Sequence, residues 1–216
     1  KGHVEVVRLL AELGANVETP AINGATPVLM AAQKGNVEAV RLLAKLGRER
    51  IVRSLLERGA DVQWRRTTTG ATATYISAAE GRAEVVRVLA ELGANVETPN
   101  NNGATPVCIA AQEGHAEVVR LLAELGANVE TPNNNGATPG CTAARKGHAE
   151  VVRVLAELGA NVETPDNDGT TPAYVAAQEG HVEVVRLLAE LGAGVDTPDK
   201  NGCTPVFVAA GRGHLE

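Results

Sequence analysis

Aromatic side chains are almost missing from this chain: its 216 residues include one Trp, two Tyr and one Phe. A core without large rings has to be thin and filled by Leu, Val and Ala, as in layers of short helices packed backbone to backbone. The same scarcity removes the stacking platforms that single-stranded nucleic acid requires. Surplus positive charge is also missing. A net charge of −6 gives no general attraction to phosphate backbones or anionic lipid surfaces, and no basic stripe is present. No apolar run approaches the roughly 20 residues of a membrane span, and no signal-peptide pattern is visible. The sequence has no G-x-x-x-x-G-K-[ST] loop, no H-E-x-x-H and no C-x-x-C pair. These absences leave no nucleotide, zinc-protease or dithiol site to build on, and no cofactor or metal is expected.

What the chain does have is a period. Gly81, Gly114, Gly147, Gly180 and Gly213 are 33 residues apart, as are Gly2 and Gly35. Most open one phrase, G-H-x-E-V-V-R-x-L-A-E-L-G-A-N-V-E-T-P, which runs from Gly114 to Pro132 and again, with one substitution, from Gly147 to Pro165. A repeat of this length marks a solenoid, in which each unit buries its apolar face only by stacking on its neighbours. Within a unit, T-P opens a first, inner helix: Pro in the first turn loses no needed N–H, and Thr caps the free donors. That helix runs through an Ala-Ala pair to a Gly. In the outer helix that follows, Val118, Val119, Leu121, Leu122 and Leu125 form the apolar stripe. Glu117, Arg120 and Glu124 lie on the opposite face, spaced to pair weakly within the helix. Gly126 stops it, and the stretch to Gly136 forms an extended finger closed by Asn135-Gly136.

The units resemble the ankyrin repeat. The resemblance rests on Gly103-Ala104-Thr105-Pro106-Val107-Cys108-Ile109-Ala110-Ala111, followed by Gly114-His115-Ala116-Glu117-Val118-Val119-Arg120-Leu121-Leu122, and it covers nearly the whole chain. It implies a mostly α fold: one ankyrin-repeat solenoid of stacked helix-turn-helix units with β-hairpin-like finger loops, spanning residues 1–216. The chain enters at Lys1 in an outer-helix phrase and stops at Glu216 a few residues into another. A fragment of a longer array is therefore expected, with an apolar flank on its first helix.

Six fingers can be counted, near 14–25, 60–71, 93–104, 126–137, 159–170 and 192–203. One junction breaks the register: the outer-helix phrase at 36–43 is followed by a second at 50–56, as if a finger and an inner helix were missing. Two consecutive helices without a finger near 46–60, and a kink or offset in the solenoid, are expected there. The next finger carries one extra residue, and Ala73 stands in place of Pro. A lesion of this kind points to a natural array, and the near-identity of its units to tandem duplication.

Three cysteines do not make a disulfide framework. Cys108 and Cys141 are one unit apart, so stacking separates them by about 8–10 Å, beyond the about 7 Å between Cα atoms that a bridge tolerates. Reduced thiols and an intracellular, reducing compartment (cytoplasm or nucleus) are expected. The five histidines, His3, His115, His148, His181 and His214, each follow the outer-helix Gly. They are too far apart to cluster and are expected to bond a neighbouring loop or helix end. Where the resembled family has His after T-P-L, this chain has Leu29, Tyr75, Cys108, Cys141, Tyr174 and Phe207. The bonds that such a His makes between units are therefore expected to be lost. Tyr75, Tyr174 and Phe207 read as core fillers.

The resemblance also implies where a partner would bind: finger tips and the exposed side of the inner helices. By motif position these are Asn101, Asn102, Ala104, Gln112 and Glu113 in one unit, then Asn134, Asn135, Ala137, Arg145 and Lys146. They continue as Asn167, Asp168, Thr170, Gln178 and Glu179, and end with Lys200, Asn201, Cys203, Gly211 and Arg212. The surface is amide-rich with alternating acidic and basic patches, suited to an extended peptide or a protein face; the bland reading is a solvated turn. Trp64, Arg65 and Arg66 in the irregular finger are either an interface anchor or, for Trp64, filling for the gap beside it. The expected function is a non-enzymatic protein–protein interaction scaffold or adaptor, part of a larger polypeptide or assembly. Two alternatives stand beside it: the targeting module of an enzyme whose catalytic domain lies elsewhere, and a passive architectural subunit.

Overall fold

The computed structural model describes residues 2–13, 15–17, 19–43, 63 and 65–213. Twelve helices occur among them. An outer helix α1 (Gly2–Glu12) is followed by the inner helix α2 (Pro27–Gln33) and by α3, helical over the described residues 37–43. Inner and outer helices then alternate: α4 (Ala73–Ala79), α5 (Ala83–Glu91), α6 (Pro106–Gln112), α7 (Ala116–Glu124), α8 (Pro139–Lys146), α9 (Ala149–Glu157), α10 (Pro172–Glu179) and α11 (Val182–Glu190), ending at the inner helix α12 (Pro205–Gly211). Inner helices stack on inner helices, and outer on outer.

Each inner helix starts the same way. Thr26, Thr72, Thr105, Thr138, Thr171 and Thr204 are extended N-caps whose hydroxyls accept the N–H three residues on, at 3.1–3.4 Å. A cap of this kind stabilises a helix by about 1 kcal/mol. The cap at Thr72 holds α4 although Ala73 stands where the others have Pro. Beneath the helices, Val118, Val119, Leu121 and Leu122 are buried, and the same four places are filled in α5 and α9. Two apolar clusters share α5 and run the length of the stack.

The anticipated break near 46–60, with its second outer phrase at 50–56, falls outside the described residues. The helices on either side correct the larger expectation. Inner helices α2 and α4 pack as direct neighbours. Arg41 of α3 reaches Glu91 and Glu84 of α5 at 3.3 and 3.8 Å, and Val40 and Leu43 share a cluster with Val85 and Leu89. The described stack thus passes the irregular junction without losing an inner helix. Gly35 and Gly81 are 46 residues apart, so this unit is a 33-residue repeat carrying 13 more. The expected extra finger residue is real. The Arg66 N–H bonds Ala71 O, one residue further on than the Asn100 N–H to Ala104 O bond of the next finger.

Candidate functional site

Three adjacent amides of one finger show how the tip is made. The Asn133 side chain accepts the N–H groups of Asn135 (2.9 Å) and Ala137 (3.1 Å), closing the turn from within. Its neighbour Asn134 bonds backward: its N–H donates to Asn102 O at 3.0 Å, and its side-chain amide donates to Asn101 O at 3.2 Å. The side chain of Asn135 points outward without a partner among the described residues. The same three roles fall to Asn100, Asn101 and Asn102, and to Asp166, Asn167 and Asp168. At the last finger, Lys200 Nζ reaches Asn167 O at 2.5 Å, and Asp199 closes the turn.

The expected partner-binding residues therefore separate into two sets. Asn101, Asn134, Asn167 and Lys200 are exposed but tie finger to finger. A Cβ on Gly103 would lie 2.3 Å from Asn134 Oδ1, so the amide fills a space that only glycine leaves. Asn102, Asn135 and Asp168 form a row whose side chains bond no other group among the described residues. Along the inner helices Gln112 bonds its neighbour Glu113 at 2.9 Å. Arg145 lies 3.5 Å from Asp166, and Arg212 lies 3.2 Å from Glu179 in the unit before. Lys146 is exposed, and Gln178 is half-buried. Ala137 is buried and offers a partner little. In the irregular finger Trp64 lies outside the described residues. Arg65 donates to Gly70 O (3.1 Å) and to Pro99 O of the next finger (2.7 Å). Half-buried Arg66 serves as a turn residue.

A second ladder, not anticipated, runs through the E-T-P phrase. The carboxylates of Glu97, Glu130 and Glu163 accept the N–H groups of Asn128, Asn161 and Gly194 one unit on, at 2.8, 2.6 and 2.6 Å. Glu recurs at this place in the sequence, but so do its loop neighbours, and only stacking shows which backbone N–H it meets. Three of the five histidines bond as expected, while His214 lies outside the described residues. The Nε2 atoms of His115, His148 and His181 meet the carbonyls of Ala79, Gln112 and Arg145 at 2.9–3.0 Å, satisfying the end of the preceding inner helix.

Two expectations change. Arg120 does not pair within its helix but with Glu157 of the next outer helix, at 2.6 Å; stacking brings that carboxylate nearer than its own helix does. Bonds between units are not all lost with the family's His. The Tyr75 hydroxyl accepts from Asn100 Nδ2 at 3.0 Å, and the Tyr174 hydroxyl donates to Asp199 at 3.2 Å. Burial, reinforced by nearby Cys108 and Glu113, pushes Tyr75 to about 12, so it acts as a neutral group. Phe207 is 65% exposed on α12, the last helix among the described residues, whereas Tyr174 at the same place is 5% exposed beneath the following helix. All three cysteines are free, and Cys108 and Cys141 are buried.

This arrangement offers ordered hydrogen-bonding groups along the finger tips and inner helices. No group of three or more His, Cys, Asp or Glu able to hold a metal occurs among the described residues. No helix among them is long and apolar enough to cross a membrane. A family model described as ankyrin repeats in three copies matches residues 44–133, 93–166, 126–199 and 159–216. A second, described as ankyrin repeats in many copies, matches residues 1–44. The chain belongs to the ankyrin-repeat family, whose members are generally non-catalytic protein–protein interaction modules. No match was found among curated proteins.

Proposed function

We propose that this chain is a recognition scaffold that holds a protein partner against its finger tips and the exposed side of its inner helices. The observation that carries this reading is the division of labour at the tips. In three fingers one amide, Asn101, Asn134 or Asn167, is tied to the finger before, and the next side chain, the amide of Asn102 or Asn135 or the carboxylate of Asp168, is left presented at 33-residue intervals. A surface ordered before binding loses little conformational freedom on association. Its amides and alternating charges, Glu113 beside Arg145 and Lys146 and then Glu179, suit an extended segment that bonds through its main chain. The free thiols support a reducing, intracellular setting.

Cross-linking with mass spectrometry on the native material tests this. Lys146 and Lys200 should link repeatedly to one foreign chain. Those links should disappear in an Asn102→Ala, Asn135→Ala, Asp168→Ala variant that keeps its helix content. Links that survive the triple change unchanged would refute the assigned surface.

A further inference from the structure

The rim of the inner helices carries a charge order that the repeat does not impose. At the end of each inner helix, one residue before a glycine of positive φ, stand Lys34, Glu80, Glu113 and Lys146, all exposed. Helices α2, α4, α6 and α8 pack as successive neighbours, so the order along the surface is positive, negative, negative, positive. Most of the unit recurs nearly unchanged, whereas this place changes sign twice. Lys34, Glu80 and Lys146 form no ion pair among the described residues, and Glu113 meets the neutral Gln112. The charges beside this row are already matched: Arg145 by Asp166, and Glu179 by Arg212.

The finger tips belong to the same surface, since Arg145 on the rim reaches Asp166 in the turn of the following finger. Beside α6 and α8 they present the amides of Asn102 and Asn135. Stacked helices stand about 8–10 Å apart, and a bound segment has to match that step. A β-strand shows the same face only every about 6.7 Å, and its third residue points the wrong way. An α-helix returns to one face after seven residues and about 10.5 Å, and its carbonyls are already bonded within the helix. A polyproline-II helix returns every three residues and about 9.3 Å, with its carbonyls unbonded. It alone matches the step and leaves the amides something to bond.

We propose that these four units bind a polyproline-II segment in register, three residues to a unit, with acidic, basic, basic and acidic side chains at every third position. The acidic ones meet Lys34 and Lys146, the basic ones Glu80 and Glu113, and the amides of Asn102 and Asn135 donate to carbonyls of the segment. The charge order reads the same from either end, so the segment fits in both directions. This rests on the reading of finger tips and inner helices as the partner surface, and adds the conformation and charge pattern of what binds there.

Fluorescence anisotropy of dye-labelled synthetic peptides on the full 216-residue chain tests this. The peptide EPPKPPKPPE carries the matched order. KPPEPPEPPK has the same composition in the inverted order, and EPPPKPPPKPPPE keeps the order at a longer step. In low salt the matched peptide should bind about tenfold more tightly than either control, and the gap should narrow as salt screens the exposed pairs. A variant with Lys34→Glu, Glu80→Lys, Glu113→Lys and Lys146→Glu should keep its helix content and prefer the inverted peptide. Lys146→Glu alone should narrow the gap to about threefold. Asn102→Ala with Asn135→Ala should weaken the matched peptide about threefold and leave the preference among peptides unchanged. Equal binding of matched and inverted peptides, binding of none, or charge variants that keep the wild-type preference would each overturn the proposal. Cross-linking separates this from the reading beneath it. Links to a foreign chain that vanish in the tip variant, with no preference among the peptides, leave the scaffold standing and remove only this class of ligand.

Discussion

Glycine and histidine form a pair at three junctions, Gly81 with His115, Gly114 with His148 and Gly147 with His181. The Gly114 backbone has φ +82°, and a Cβ there would lie 2.8 Å from the His148 ring, whereas at Gly126 (φ +91°) it would meet nothing within 4 Å. Gly126→Ala should cost only the left-handed backbone penalty, about 1–2 kcal/mol. Gly114→Ala should cost more by about 1 kcal/mol, because the displaced imidazole gives up its bond to Gln112 O. Urea denaturation midpoints measure both, and adding His148→Ala should remove most of the difference. The thiols separate in the same way. Burial raises Cys108, and it raises Cys141 to about 11, so neither supplies thiolate at neutral pH. Half-exposed Cys203 should alkylate first, and the other two only as the chain unfolds.

Among the elements, the fingers carry the most specific expectations. Asn133, Asn134 and Asn135 are consecutive and identical, but only the first two hold structure. Asn133→Ala should be the most destabilising, losing two bonds of about 1 kcal/mol each. Asn134→Ala should follow, losing one exposed bond. Asn135→Ala should stay within about 0.5 kcal/mol of wild type. Thermal or urea unfolding of the three variants gives the order. The last finger adds a pH dependence. The Cys203 N–H, with those of Asn201 and the Tyr174 hydroxyl, holds the Asp199 carboxyl below its ordinary 3.8 against partial burial. A depressed carboxyl contributes stability that is full above the ordinary value and lost as pH falls through the depressed one. Protection of the Asn201 and Cys203 amides should therefore drop in acid. The matching amides of Asn135 and Ala137, bonded to the neutral Asn133, should not respond, and Asp199→Asn should abolish the effect.

For the whole molecule, stability is a sum of units and the contacts between neighbours. Among the described residues, the interior units from α6 to α11 have neighbours on both sides, while α1 and α12 have a neighbouring unit on one side. Amide hydrogen exchange should therefore be fastest in Gly2–Glu12 and Pro205–Gly211 and slowest in the outer helices α7 and α9. Equal rates along the chain would mean that the array unfolds as one block. The irregular unit obeys the same logic. Arg41 pairs with α5 residues, and α2 packs on α4, so 13 added residues leave the neighbour contacts in place. Reading along the chain, a second outer-helix phrase looked like a lost inner helix; only the three-dimensional adjacency of α2 and α4 shows an addition.

The sequence alone determined the period, the helices and their caps, because local signals carry them: Thr before the inner helix, a Val and Leu stripe in the outer one, and Gly where φ must be positive. It also pointed to the histidines as bonding groups, since one place repeated five times rules out a cluster. The tertiary structure decided what identical residues do. Asn133, Asn134 and Asn135 differ only in what the next finger brings within reach. Arg120 chooses Glu157 because stacking sets that distance. Tyr174 is buried and Phe207 is not, because a side chain between units is covered only when a neighbour lies over it. Local sequence fixes a unit's conformation, but contacts across a repeat junction belong to two units at once, and their geometry exists only after the units stack.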